Sequence, residues 1–341
     1  MPYAQTFPSS DMPAAPAVQY RKPVRGSLVW WARFLGVASL VVVLLLYLSR
    51  SQDARVFRVD LRWVGLCVGL TVCQLLLEAF VWHWLLSIQR IRYPYPKTLL
   101  AYLASQYLGL VTPNHVGELL AAGHISMDTG ITFGYGLSSV VMKKVLAVIT
   151  AIGFGIWSLP LLAQLQFLQG MQVVVWSLVV LVVFSAGLGL WIVSIRRLTR
   201  KWEKVSPWKI EMTEFWAGCA QLVSLPLLVP LGLSALAFSL LFVQLDAVLR
   251  AMGLGVSFAL LARLMAFSRI TARFLPLSVA GFGSKDVLLI LLLRQHGIAF
   301  ADGLAAVLLL LMGSHLVTLL LSGLAWWMKP LVIPRVAPAS S

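Results

Sequence analysis

Two stretches of this chain collect the residue types that bind and move charge, and both lie inside apolar surroundings. The first is Thr112-Pro113-Asn114-His115-Val116-Gly117-Glu118; the second is Pro276-Leu277-Ser278-Val279-Ala280-Gly281-Phe282-Gly283-Ser284-Lys285-Asp286. Each combines a proline, at least one glycine and a carboxylate. Proline and glycine interrupt a helix. Within a bilayer, interrupted backbone survives only where protein or a water-lined cavity satisfies its polar groups. Matching breaks in two halves of a membrane protein therefore point to a transport-type binding site.

Charge at membrane depth costs roughly 2.5–3.5 kcal/mol per residue, so each buried charge needs a partner, a cavity or a role. Glu118 begins the arm after Gly117. It suits the positive end of a helix dipole, and it equally suits pairing with a cation across a cavity or carrying a coupling proton. Lys143 and Lys144 sit about two turns into an apolar stretch. Lysine can snorkel to the interface over that distance, an alternative that stands open for one of the two. Adjacent residues point about 100° apart on a helix, so the other should face inward, towards Glu118 or an anionic headgroup.

Arg263, Arg269 and Arg273 precede the second break, and Arg269 and Arg273 are four residues apart on one helical face. Guanidinium forks hold phosphate bidentately; a pair between Arg273 and Asp286 across the turn is the alternative. Gly281 and Gly283 permit a tight turn with exposed amides, a possible anion site. The candidate substrate contacts are thus Pro113, Asn114, Gly117 and Glu118 in the first break, Pro276, Ser278, Gly281, Gly283, Lys285 and Asp286 in the second, and Lys143, Lys144, Arg269 and Arg273 beside them. Glu78, Asp246 and His315 read as hydrogen-bonded contacts between helices, and His115 could titrate. No Gly-x-Ser-x-Gly, His-Glu-x-x-His or P-loop pattern occurs, and no Cys/His cluster has ligand spacing. Neither a catalytic residue, a metal nor a cofactor is expected.

The elements that must position these groups are membrane helices. Of 341 residues, 60% are hydrophobic and 11% charged, far from the balance of a soluble domain. The net charge of +15 comes from cations in short loops, where they set topology, so no nucleic-acid partner is expected. Cys67, Cys73 and Cys219 lie in or beside apolar helices and read as inert thiols.

Residues 1–28 read as a disordered tail ending in a basic juxtamembrane cluster, Arg21, Lys22 and Arg25, and residues 329–341 as a second disordered tail. Between them, 29–328 forms one transmembrane domain. Stretches 29–48, 61–88, 137–159, 172–195, 225–250 and 303–328 are long enough to cross about 30 Å of hydrocarbon. The basic loop 196–209 and the N-terminal cluster are expected in the cytoplasm.

Parity then requires 98–128 to begin and end in the cytoplasm and 257–295 to begin and end outside. Arms 98–111 and 284–294 reach only about 21 Å and 16 Å, too short to cross. The expected fold is an all-α polytopic membrane protein of about six full transmembrane helices plus two re-entrant hairpins in an inverted repeat. Residues 208–221 read as an amphipathic interfacial helix.

From about residue 60 to 328 the pattern resembles the lysylphosphatidylglycerol synthase transmembrane region family, flippase-like integral membrane proteins. The resemblance rests on Pro113, Gly117 and Glu118 within 106–120, and on Pro276-x-Ser278-x-x-Gly281-x-Gly283-x-Lys285-Asp286 followed by an apolar arm and Gly297. The chain departs from the family pattern at His115 and Val116, at Ala121 and Ala122, and at Lys143, Lys144 and Ala147.

The resemblance implies a lipid-translocating module without the aminoacyl-transferase domain, expected in a bacterial inner (cytoplasmic) membrane, where Arg21, Lys22 and Arg25 place the N-terminus in the cytoplasm. The expected function is translocation of an anionic or phosphate-bearing amphipathic lipid between leaflets, with membrane lipids as partners and a transporter rather than an enzyme as the class. The alternatives are a membrane-embedded lipid-modifying transferase and a noncatalytic partner of a glycosyltransferase or lipid-biosynthesis complex.

Overall fold

The computed structural model describes residues 59–111, 113–162, 206–274, 278–279 and 282–330. The stretches 29–48 and 172–195, the N-terminal tail, most of the loop 196–209 and all but two residues of the C-terminal tail lie outside them.

Helix α1 (Leu61–Ile88) opens on Asp60, whose Oδ1 accepts the Arg62 backbone N–H at 2.9 Å and so satisfies one orphan donor of the first turn. Four helical stretches are long and apolar enough to cross a membrane: Leu61–Ile88, Phe133–Ser158, Leu225–Ala251 and Phe300–Met328. Their apolar windows are only 22% to 33% buried within the protein, so most of that surface faces outward. Leu66, Ile149, Trp157, Leu236 and Leu320 are exposed accordingly, as lipid-facing side chains must be. These four match the expected stretches 61–88, 137–159, 225–250 and 303–328.

The first interrupted segment starts with α2 (Tyr95–Val111), which stops two residues short of Pro113, where the proline ring disfavours helical backbone in its predecessor. A 3-10 stretch (Pro113–Leu120) and a short helix α3 (Ala121–Thr129) follow, closed by Gly130 at φ 74°, a left-handed cap that suits glycine. The segment folds back to where it began: the Tyr93 hydroxyl, just before it, donates to Asp128 Oδ2 at 2.6 Å near its end. Close return of the 3-10 stretch needs Gly109, where a Cβ would stand 2.6 Å from Glu118 Cγ.

Helix α4 (Phe133–Leu162) carries Lys143 and Lys144. Helix α5 (Ser206–Leu222) covers the expected amphipathic stretch and is seated on α4, with the Gly134 N–H donating to the Glu211 carboxylate and Gln221 Nε2 donating to the Ile88 carbonyl at 3.2 Å. Helix α6 (Leu228–Ala251) runs antiparallel to α1, and the Asp60 N–H donates to the Ala251 carbonyl at 3.0 Å.

The second interrupted segment comprises α7 (Phe258–Phe274), a two-residue antiparallel ladder of β1 (Ser278–Val279) and β2 (Phe282–Gly283), and α8 (Ser284–Gln295). The ladder is the one pair of strands among the described residues. Leu261, Leu264 and Met265 of α7 share a core with Leu289, Leu292 and Leu293 of α8 and with Leu245, Val248 and Leu249 of α6. Helix α9 (Phe300–Leu311), a π turn (Met312–Leu316) and α10 (Val317–Met328) complete the bundle.

Lys329, after α10, bonds both Tyr93 and Asp128. The last helix therefore ends beside the first segment, and its start, with the second segment before it, lies at the end marked by Asp60 and Ala251. The two interrupted segments hang from opposite ends of the bundle.

Candidate functional site

Glu118 and the two lysines meet in a small cavity lined by Trp82, Tyr102, Ser105, Gln106, Glu118, Ala121, Val140, Lys143 and Lys144. Lys144 Nζ lies 2.7 Å from Glu118 Oε2, and Lys143 Nζ lies 3.4 Å from Glu78 Oε2. Lys143 also stands 3.8 Å from the centroid of the Tyr102 ring, a cation–π contact. The Tyr102 hydroxyl donates to Glu78 Oε2 at 2.5 Å, and Gln74 Nε2 donates to Glu78 Oε1 at 3.1 Å. Gln244 Nε2 of α6 extends the chain to Gln74 Oε1 at 3.0 Å. Trp82, fully buried, fixes one wall by donating its indole N–H to Ser139 at 3.0 Å.

One lysine, Lys144, faces Glu118 as expected, and Lys143 reaches Glu78, so each has a carboxylate on another element. Glu78 does make the contact between helices that its position implied. Asp246 does not, since it pairs along its own helix with Arg250 at 2.7 Å.

A second cavity lies between α7, α8 and the π turn, lined by Arg269, Lys285, Asp286, Val307, Leu310, Leu311, Ser314 and His315. Asp286 is buried and its Oδ2 accepts the Gly283 N–H at 2.8 Å, closing the start of α8. His315 Nδ1 lies 3.1 Å from Ser314 Oγ, and the Ser314 hydroxyl donates to the Leu310 carbonyl at 2.6 Å. His315 thus contacts Ser314 on its own helix and lines the cavity. The π turn sits where Gly313 touches α1: a Cβ there would stand 3.0 Å from Cys67 Sγ, and the Thr71 hydroxyl donates to the Gly313 carbonyl at 3.1 Å.

Sequence-derived candidates therefore fall into two groups in separate cavities, Glu118 with Lys143 and Lys144, and Arg269 with Lys285 and Asp286. Gly117 is buried in the 3-10 stretch and Gly283 precedes α8. The backbones of Pro113, Asn114, Arg273 and Ser278 are placed, their side chains are outside the described set, and Pro276 and Gly281 lie outside the described residues. Tyr102, Gln74, Gln244 and Ser314 were not anticipated. The spacing of Gln74 and Glu78 by one helical turn was the available signal for the first of these networks. Among the described residues no group of His, Cys, Asp and Glu converges as a metal site would.

Each of the two cavities has room for about one water, too little for a lipid headgroup. A family model described as the lysylphosphatidylglycerol synthase TM region matches residues 22–328. Neither the curated proteins nor the solved structures yield a match.

Proposed function

The chain belongs to the lysylphosphatidylglycerol synthase transmembrane region family, and from that premise we propose that it translocates an anionic or phosphate-bearing amphipathic lipid between the leaflets of a bacterial inner membrane. The observation that carries the reading is the pair of interrupted segments attached to opposite ends of the bundle, each delivering charged side chains to a cavity in the helix packing. In this reading both segments are re-entrant hairpins of an inverted repeat, the first entering from the cytoplasm with the N-terminus on the same side.

The closed cavities fit the occluded stage of an alternating cycle. Breaking the Lys144–Glu118 contact opens the first segment, and rearrangement at Asp286 opens the second. Paired charges suit such a gate because a separated pair must be replaced by substrate or water contacts, which ties opening to occupancy.

The test is leaflet exchange. The purified protein is reconstituted in liposomes carrying traces of fluorescent lipids with different headgroups, and the outer leaflet is bleached with an impermeant reductant. Faster loss of the protected fraction for anionic lipids than in protein-free liposomes is expected. No acceleration for any headgroup overturns the proposal.

A further inference from the structure

The two cavities differ in how their charge is balanced. In the first, two lysines face two carboxylates, Glu118 and Glu78, and both ion pairs are made. In the second, Asp286 is the one carboxylate among the described lining residues and spends an oxygen on the Gly283 N–H, while Glu78 acts on Arg269 from outside the cavity. Lys285 lies within electrostatic reach of both Arg269 and Asp286, yet neither Arg269 nor Lys285 has an ion-pair or hydrogen-bond partner among the described residues. Both side chains are half-buried in a membrane domain, where an uncompensated cation is costly. Among the described lining residues this cavity carries two cations to one carboxylate, whereas each lysine of the first cavity has a carboxylate partner.

We infer that Arg269 and Lys285, with Ser314 and His315 of the π turn opposite, form the binding site for a phosphate monoester or diester, and that the Glu118–Lys144 cavity does not hold the anion. An arginine supplies a fork and a lysine a point charge to phosphate oxygens, while Ser314 and His315 line the wall that faces them. The π turn brings the last two to the cavity: it is tied at Gly313 to Thr71 and Cys67 of α1, and such irregular turns often mark functional positions. Substrate recognition is thereby assigned to the second segment, and the self-neutralised first cavity is left to gating. The inference rests on the translocase reading only for the passage of the lipid; binding is measured without it.

The full chain is placed in phosphatidylcholine nanodiscs with a photoreactive phosphatidylglycerol, and the labelled peptides are mapped by mass spectrometry. Label is expected on 258–274, 284–295 or 312–316 rather than on 133–162. Arg269→Gln with Lys285→Gln should weaken phosphatidylglycerol binding at least about tenfold. Arg294→Gln, which removes an exposed charge from the same helix, should leave it unchanged. The charge-keeping exchange Arg269→Lys with Lys285→Arg should retain most binding and so guards against misfolding of the neutral variant.

Competition by inorganic phosphate would assign the site to the free anion, and its failure to a lipid-borne phosphate; either supports the inference. Label confined to 133–162, or undiminished binding in the folded neutral variant, overturns it. Wild-type binding without leaflet exchange would overturn the translocase reading and leave this site standing.

Discussion

Glu78 receives the Tyr102 hydroxyl, the Gln74 amide and the Lys143 ammonium at once, and that crowding explains why a carboxylate is tolerated midway along a membrane helix. A buried anion is bearable when its lone pairs are filled by donors fixed in place. In the Glu118–Lys144 pair the lysine is the more exposed partner, with 37% of its side chain accessible. Glu118→Gln removes the carboxylate from this pair and should cost on the order of 1–3 kcal/mol. The same holds for Lys144→Gln. The double variant should be more stable than the sum of the two single losses implies, because neither charge is then stranded. Thermal unfolding in one detergent, read as a double-mutant cycle, measures this, and strictly additive losses would contradict a pair that stabilises the closed conformation.

At the scale of elements, the end of the last helix is tied to the mouth of the first interrupted segment. Lys329 bonds Asp128 and Tyr93, and Tyr93 bonds Asp128. Burial alone would raise the Asp128 carboxyl, but hydrogen bonds from Lys329 and Tyr93 outweigh it and hold the group below the usual aspartate range. A carboxyl with a depressed folded pKa contributes stability that is fully present above its unfolded value of about 3.9 and is lost as pH falls through the lower folded value. The tie should therefore hold at neutral pH and loosen only under strong acid. Asp128→Asn should lower stability at pH 7 by on the order of 1 kcal/mol and flatten the acid limb of the melting profile. An unchanged acid limb would show that the tie contributes nothing.

This scale also separates what was readable in the residues from what was not. Long apolar runs announce their helices because length and hydropathy suffice, and Pro113 announces its break because its ring forbids the helix it interrupts. Lys143 and Glu78 are 65 residues apart, and helical periodicity relates residues only within one helix. Their pairing follows from how α1 and α4 pack, which no local pattern encodes. For the same reason the partner of Lys143 was not readable, although an inward lysine facing Glu118 was. The π turn was hidden as well, since its sequence Met312-Gly313-Ser314-His315-Leu316 is apolar enough to pass as ordinary helix.

Over the whole molecule, α1 is the strut common to both cavities. Its Thr71 and Cys67 contact the π turn beside the second cavity, while Gln74 and Glu78, one and two turns further on, reach the first. A shift of this helix would therefore be felt at both sites, which is the mechanical requirement for opening one while the other closes. The account depends above all on the two interrupted segments dipping into the bilayer from opposite faces. Single cysteines at Asn114 and Ser278, in a chain whose Cys67, Cys73 and Cys219 are replaced, can be probed in oriented membrane vesicles with an impermeant thiol reagent applied to one side at a time. The account predicts that cysteine 114 is labelled from the cytoplasmic face and cysteine 278 from the opposite one. Labelling of both from the same face would contradict it.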